Sequence, residues 1–268
     1  MISITLNGRK VSTAARTVTE LRAQTHPDAD VTIYNGFQTA EDFPLCEGDT
    51  VAFLRKGVMP NPAELESLLC ARHTPKVHQK VKAGAVAVAG LGGLGSQVAV
   101  FLARTGVGRL LLVDFDVVEP SNLNRQHYDM RHLGRYKTEA LQEQLLQINP
   151  YLTVEIQTLR VTPGNAVSLF SGFPIVCEAF DNPAAKADLI NTLLEQCPGV
   201  RIVAASGMAG YASANDIHTK RKFQSLYVCG DGHTEAQPGC GLMAPRVAVC
   251  AAHQANMILR LLLGIETE

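Results

Sequence analysis

The stretch that most constrains this chain is Gly90-Leu91-Gly92-Gly93-Leu94-Gly95, a G-x-G-x-x-G pattern. It lies between an unbroken apolar run, Ala85-Val86-Ala87-Val88-Ala89, and a segment from about Leu94 to Thr105 that reads as a helix. Five apolar residues without alternation suit a strand buried on both faces, as in a parallel sheet. The glycines permit a tight turn and let backbone N–H groups approach phosphate, while the helix N-terminus adds the positive end of its dipole. Asp114 closes the next apolar run, Arg109-Leu110-Leu111-Leu112-Val113, and stands 19 residues after Gly95 (114 − 95). A carboxylate there can accept hydrogen bonds from a ribose hydroxyl. In this strand–loop–helix setting a glycine-rich turn without a ligand is the weaker reading. The nucleotide is still open, because a dehydrogenase binding NAD presents the same features.

The following segment separates the two chemistries. A polar loop, Asp114 to Gln126, contains Ser121-Asn122-Leu123-Asn124-Arg125-Gln126, and Lys137 opens a helix predicted from about Tyr136 to Ile148. Hydride transfer has no need of these cations, whereas nucleotidyl transfer must neutralise a triphosphate and the charge developing on a pyrophosphate leaving group. Arg125 can act as a fork on phosphate oxygens and Lys137 as a point charge. Taken alone, such residues are more often solvated surface charges. Glu178-Ala179-Phe180-Asp181-Asn182 ends a later strand, and ligands of open parallel sheets sit at the carboxyl ends of strands. Asp181 is placed to hold Mg²⁺ against phosphate oxygens. Asp181 or Asn182 could equally cap the helix predicted from Pro183 to Gln196.

Further strands are predicted at Val154-Glu155-Ile156, Ile175-Val176-Cys177 and Ile202-Val203-Ala204, alternating with helices. That is the pattern of an α/β, doubly wound, Rossmann-like domain with a mostly parallel sheet, placed over residues 81–268. Hydrophobic residues make up 46% of the 268-residue chain and charged residues 18%, enough for a core and too apolar for disorder. The net charge of −1 argues against a broad nucleic-acid or membrane surface. Val247 to Leu263, the most apolar long stretch, is broken by His253, Gln254, Asn256 and Arg260, so it reads as a packed helix rather than a membrane span. The seven cysteines include no close pair, and Met1 to Leu6 lacks a secretory signal pattern. These features imply free thiols and a cytoplasmic location.

The first 57 residues form a different pattern. Ile2 to Leu6 alternates apolar and polar, Asn7-Gly8 is a strong hairpin signal, and Lys10-Val11-Ser12 returns as a second strand. A short helix around Val18 to Ala23 and strands at Val31–Tyr34 and Thr50–Leu54 complete a small mixed sheet with one covering helix. Residues 58–80 read as linker and helix, with Asn61 capping, Pro62 at the first helical position and Glu64 completing a capping box.

Gly90 to Ser96, Asp114-Phe115-Asp116, Ser121 to Gln126, Lys137, Asp181-Asn182 and Gly241-Leu242-Met243-Ala244-Pro245 together resemble the ThiF/MoeB adenylyltransferases, relatives of the ubiquitin-activating enzymes. The resemblance covers about residues 70 to 264. The N-terminal stretch resembles the β-grasp sulfur carrier ThiS, so the whole looks like ThiF proteins with such a domain fused in front. The resemblance implies adenylation by ATP of a sulfur carrier's C-terminal Gly-Gly carboxylate, releasing pyrophosphate, in making the thiazole of thiamin. By position, Gly90, Gly92, Gly93 and Gly95 would form the nucleotide loop and Asp114 would hold the ribose. Asn122, Asn124, Arg125, Gln126 and Lys137 would contact the triphosphate, and Asp181 with Asn182 would lie at Mg²⁺ and phosphate. Arg125, Lys137 and Asp181 are the candidate catalytic residues, with Asp181 the metal ligand. The attacking carboxylate ionises near pH 4, so it needs no general base.

The chain departs from the family pattern in four places. The carrier-like domain runs on past Leu54-Arg55-Lys56-Gly57-Val58, so it has no free Gly-Gly carboxylate and is expected to serve structure, docking or regulation. The family's structural zinc uses two C-x-x-C pairs; Cys229 stands alone where the first would fall, so no zinc of that kind is expected. Gln237 occupies the position of the family cysteine that links to the carrier, with Cys240 close by. Arg72-His73-Thr74-Pro75 keeps one arginine of a segment that reaches the neighbouring subunit, and Arg72 or Lys76 could replace the other. A homodimer is the family expectation. His73, His78 and His127 read as surface or capping groups, and His218 and His233 lack zinc spacing. Other readings are adenylation of the carrier for molybdopterin or a cysteine pathway, an NAD-dependent oxidoreductase, a scaffold without activity, and modification of a small RNA or an amino acid.

Overall fold

The computed structural model describes residues 1–267, the Pro75 side chain excepted. The chain forms two compact units, Met1–Lys80 and Val81–Glu268.

In the first unit, β1 (Ile2–Leu6), β2 (Arg9–Thr13), β3 (Val31–Tyr34), β4 (Phe37–Thr39) and β5 (Thr50–Leu54) make a five-stranded sheet in the order β2-β1-β5-β3-β4. β1 and β5 are parallel, and the remaining pairs are antiparallel. Asn7-Gly8 and Asn35-Gly36 both have positive φ, the geometry of a two-residue type I′ hairpin. The second of these turns a segment that reads as a strand end into the β3–β4 hairpin. Helix α1 (Val18–Thr25) is capped by Thr17 and buries Val18 and Leu21 with Ile4, Val51 and Phe53. Helix α2 (Pro62–His73) has the capping box that Asn61 and Glu64 imply. It is not a bare connector: Leu68 and Ala71 pack against Ile33, Ala52 and Leu54, and Asn7 Nδ2 donates to Glu64 Oε1 at 3.0 Å. Helix α3 (Pro75–Lys82) follows, and His78 on it is buried rather than on the surface.

The second unit alternates β6 (Ala85–Ala89), α4 (Gly95–Thr105), β7 (Arg109–Val113), α5 (Lys137–Ile148), β8 (Thr153–Gln157), α6 (Pro163–Phe170), β9 (Ile175–Glu178), α7 (Pro183–Gln196), β10 (Arg201–Ala205), β11 (His218–Phe223), β12 (Leu226–Gly230) and α8 (Ala244–Leu262). The sheet order is β11-β12-β10-β9-β6-β7-β8. All neighbours are parallel except β11, which pairs antiparallel with β12 at one edge. Strand order therefore reverses between β6 and β9, the switch point of a doubly wound sheet, where the carboxyl ends of strands leave a crevice. Central strands β6, β7, β9 and β10 bury both faces, which is why their sequences are continuous apolar runs. Ala87, Ala89, Val113 and Val176 face the α6–α7 layer through Phe170, Leu189 and Leu193. Helix α8 buries Val247, Cys250, Ala251, Gln254, Ile258 and Leu261, a stripe at helical spacing. β11 reads His-Thr-Lys-Arg-Lys-Phe; its charges protect an exposed edge and hide it from an apolar-run reading. Among the described residues, no helix is long and apolar enough to cross a membrane.

Candidate functional site

The turn after β6 is built by exclusion of side chains. Gly90 has φ +90°, and a Cβ there would stand 2.9 Å from both the Ala179 carbonyl oxygen and Phe180 Cδ1. A Cβ on Gly95 would fall 1.8 Å from the Gly90 carbonyl oxygen, so Gly95 lets α4 start directly against the turn. Gly92 meets nothing closer than Gln126 Nε2 at 3.9 Å, which leaves its backbone open to a ligand.

Asp114 at the end of β7 is buried and ties this loop to the next. Its Oδ2 accepts from Leu91 N at 2.7 Å and its Oδ1 from Asp116 N at 2.8 Å. Burial pushes its carboxyl above the usual range, opposed by those amides and by Lys137. Lys137, buried at the start of α5, donates from Nζ to Asp116 Oδ2 at 2.9 Å. Tyr128 OH donates to the Leu91 carbonyl at 2.9 Å, closing the floor of the turn. Arg125 is half-buried and donates from Nη1 to Ser121 O at 3.2 Å and to Asn124 Oδ1 at 2.9 Å. Gln126 is buried with no partner for Oε1 among the described residues.

Across the switch point, β9 ends at Glu178. Asn182, not Asp181, caps α7, accepting from Ala185 N at 3.0 Å. Asp181 is exposed and has no hydrogen bond or ion pair among the described residues. Just beneath it, fully buried Glu178 accepts from Phe180 N at 2.7 Å and from Lys186 Nζ at 2.5 Å. Burial raises the Glu178 carboxyl, and Lys186 opposes the rise.

These groups line one cleft of about 1080 Å³ at the carboxyl ends of the strands. Gly90, Gly92, Gly93, Asp114, Arg125, Gln126, Lys137, Asp181 and Asn182 all border it. Gly95, Asn122 and Asn124 do not. Gly95 backs the turn; Asn122 is buried and accepts from Glu119 N at 3.0 Å; Asn124 holds Arg125. Several bordering groups carry no motif. Lys186 is one, although a lysine in the first turn of a helix, against the dipole, is a weak signal. Arg160 over the Phe115 ring at 4.4 Å is another, and Ser206 to Ala209 with Thr234 to Ala236 form the wall beyond β10 and β12. Cys240 lies outside the cleft lining, beside Gly210 and bridged to Gln237. Arg72 and Lys76 belong to the other unit.

A glycine turn at the switch point of a doubly wound sheet, with a buried carboxylate after the second strand, defines a Rossmann-type α/β protein. The chain belongs to the ThiF family, whose profile matches residues 66–268, and a ThiS-like ubiquitin profile matches residues 2–57. It is 30% identical over 195 residues to the adenylyltransferase and sulfurtransferase UBA4 of Yarrowia lipolytica, covering 68% of this chain and 47% of that protein. It is 38% identical over 109 residues to the probable adenylyltransferase/sulfurtransferase MoeZ of Mycobacterium tuberculosis, covering 40% of this chain and 28% of that one. The chain thus spans less than half the length of these curated relatives. The E. coli tRNA N6-threonylcarbamoyladenosine dehydratase TcdA, solved with AMP, superposes with a TM-score of 0.68 at 25% identity, over 78% of this chain and 98% of that one.

Proposed function

We propose that the second unit is an ATP-dependent adenylyltransferase acting on the C-terminal Gly-Gly carboxylate of a ThiS-like sulfur carrier. The observation that carries this reading is the convergence of the glycine turn, Asp114, Arg125, Lys137 and Asp181 on one cleft. The naming of curated relatives as adenylyltransferases and the AMP complex of TcdA support it. In this reading the Gly92 and Gly93 backbone lies against the phosphates, and Asp114, whose oxygens each keep a lone pair, accepts from the ribose. A carrier carboxylate oxygen attacks the α-phosphorus as the bond to the β-phosphate oxygen breaks, leaving acyl-AMP and pyrophosphate. Arg125 leaves its neutral carbonyl partners for phosphate oxygens, and Lys137 shares its charge between Asp116 and the triphosphate. Asp181 fits a Mg²⁺ ligand, because it is a cleft carboxylate without a protein partner among the described residues. Bound there, the ion would add charge neutralisation at the phosphates. Asn182 contributes by capping α7, and Gln126, whose Nε2 lies nearest Gly92, donates to the phosphates.

The pathway we propose is thiamin thiazole formation, on the strength of the ThiS-like domain; a molybdopterin or cysteine-pathway carrier is the alternative. The first unit serves structure, docking or regulation rather than as the adenylated carrier, since its chain continues past Gly57. A homodimer is proposed from the family pattern. ATP–pyrophosphate exchange with Mg²⁺, with and without ThiS-like and other Gly-Gly carriers, tests the reaction and the carrier. Carrier-dependent exchange is expected and ranks the pathways; ATP binding without exchange for any carrier would sink the reading. Unchanged exchange and folding after deletion of residues 1–57 would remove a role for the first unit.

A further inference from the structure

The adenylation reading leaves the Glu178–Lys186 ion pair beneath Asp181 unused. This pair breaks two rules. A fully buried carboxylate loses its hydration, and a cation in the first turn of α7 opposes the helix dipole. Apolar residues of the same size would often serve stability as well. Its connections are informative. Glu178 Oε1 holds Phe180 N, immediately before Asp181, while Oε2 holds Lys186, in the first turn of the helix that Asn182 caps. One side chain therefore straps both flanks of Asp181-Asn182. The strap is anchored from behind, as Gln254 Nε2 donates to the Glu178 carbonyl at 3.0 Å and Ala179 N to the Ala89 carbonyl at 2.8 Å. On its other side the Ala179 carbonyl and the Phe180 ring press on Gly90 so closely that no Cβ fits there.

We infer that the Glu178–Lys186 ion pair is a brace that sets the position of Asp181 against the glycine turn, making both positioning residues for the triphosphate end of the cleft. The inference rests on the nucleotide reading of the cleft and not on the identity of the carrier. The brace acts at the phosphates alone, since the ribose carboxylate Asp114 hangs from β7 and shares no bond with the pair.

The test uses the full chain with Mg-ATP and adenosine as probes. The double variant Glu178→Gln/Lys186→Met keeps shape and removes both charges. Amide exchange at Phe180 in the unliganded protein is expected to accelerate, Mg-ATP affinity to fall about 10-fold, in the range for loss of a partner that orients a ligand-binding group, and adenosine affinity to stay within about twofold. Lys186→Arg alone should keep Mg-ATP affinity near wild type, because the cation is kept. If the double variant does not fold, Lys186→Ala makes the same comparison, since its side chain is 23% exposed and its removal admits water to Glu178. Unchanged Phe180 exchange, unchanged Mg-ATP affinity, or equal loss of adenosine and Mg-ATP, would each overturn the brace. A wild-type protein that binds no Mg-ATP would overturn the nucleotide reading and the brace with it, whereas one that binds Mg-ATP but adenylates no carrier counts against the carrier alone.

Discussion

The two sides of the switch point are built on opposite terms. On the β7 side both Asp114 oxygens accept backbone amides and Lys137 is paired with Asp116. On the β9 side the carboxylate that borders the cleft, Asp181, is unpaired among the described residues, while the satisfied carboxylate lies one layer below at Glu178. A group that holds its own loop together costs stability when removed. A group kept for a ligand costs only function.

The largest expected effect follows from that contrast. Asp181→Ala and Arg125→Ala should each lower carrier adenylation by about 10²-fold or more, as loss of transition-state electrostatics does, with thermal midpoints close to wild type. Wild-type turnover in either variant would show that the chemistry lies elsewhere. Asp114→Ala should instead lose ATP binding and stability together, about 1–3 kcal/mol for each buried amide left without its acceptor. Denaturant unfolding decides this: a stability equal to that of Asp181→Ala would erase the difference between the sides. Asn182→Ala removes a helix cap and should cost about 1 kcal/mol, measured the same way, with a smaller loss of adenylation than Asp181→Ala.

The smallest effect is in pH. Burial raises the folded Asp114 carboxyl, with its amide partners and Lys137 opposing. A raised acid favours the folded state below the unfolded value near pH 3.9, and that contribution is lost as pH rises through the folded value. ATP binding moves the other way, weakening as acid protonates Asp114 earlier than an ordinary aspartate. Asp231 behaves oppositely: burial pushes it up, but the Thr234 and His233 amides, the Thr234 hydroxyl and Arg246 overcome this and hold it well below the carboxylate range. Its stabilisation is present above the unfolded value and disappears as pH falls through the folded one. Asp231→Asn should therefore flatten the acid limb of the unfolding midpoint, while Asp114→Asn should flatten the acid limb of ATP affinity. Unchanged limbs would contradict these assignments.

Much of the fold was legible because its signals are local. β6, β7, β9 and β10 are apolar runs, α7 opens with Asn-Pro, and the Asn7-Gly8 turn states its own geometry. β4 escaped because it is only three residues long, and β11 because an edge strand carries charge in place of an apolar run, while α3, α6 and β12 also went unread. The candidate site was legible where the chain writes it contiguously, in the glycine turn and around Asp181. Asn122 and Asn124 share a motif with Arg125 but not a place in the cleft lining, because the 3₁₀ turn Pro120–Asn122 folds Asn122 back onto Glu119.

The sequence by itself determined which segments bury both faces, where the backbone must lack a Cβ, and which caps begin the helices, because periodicity, steric exclusion and capping act over a few residues. Only the tertiary structure decided that Asp181 stands unpaired while Asn182 caps, that Glu178 reaches Lys186 beneath them, and that the walls after β10 and β12 close the same cleft. Those outcomes depend on strands brought together by long crossovers, and on burial, which strengthens a charge pair only once the surrounding chain has excluded water.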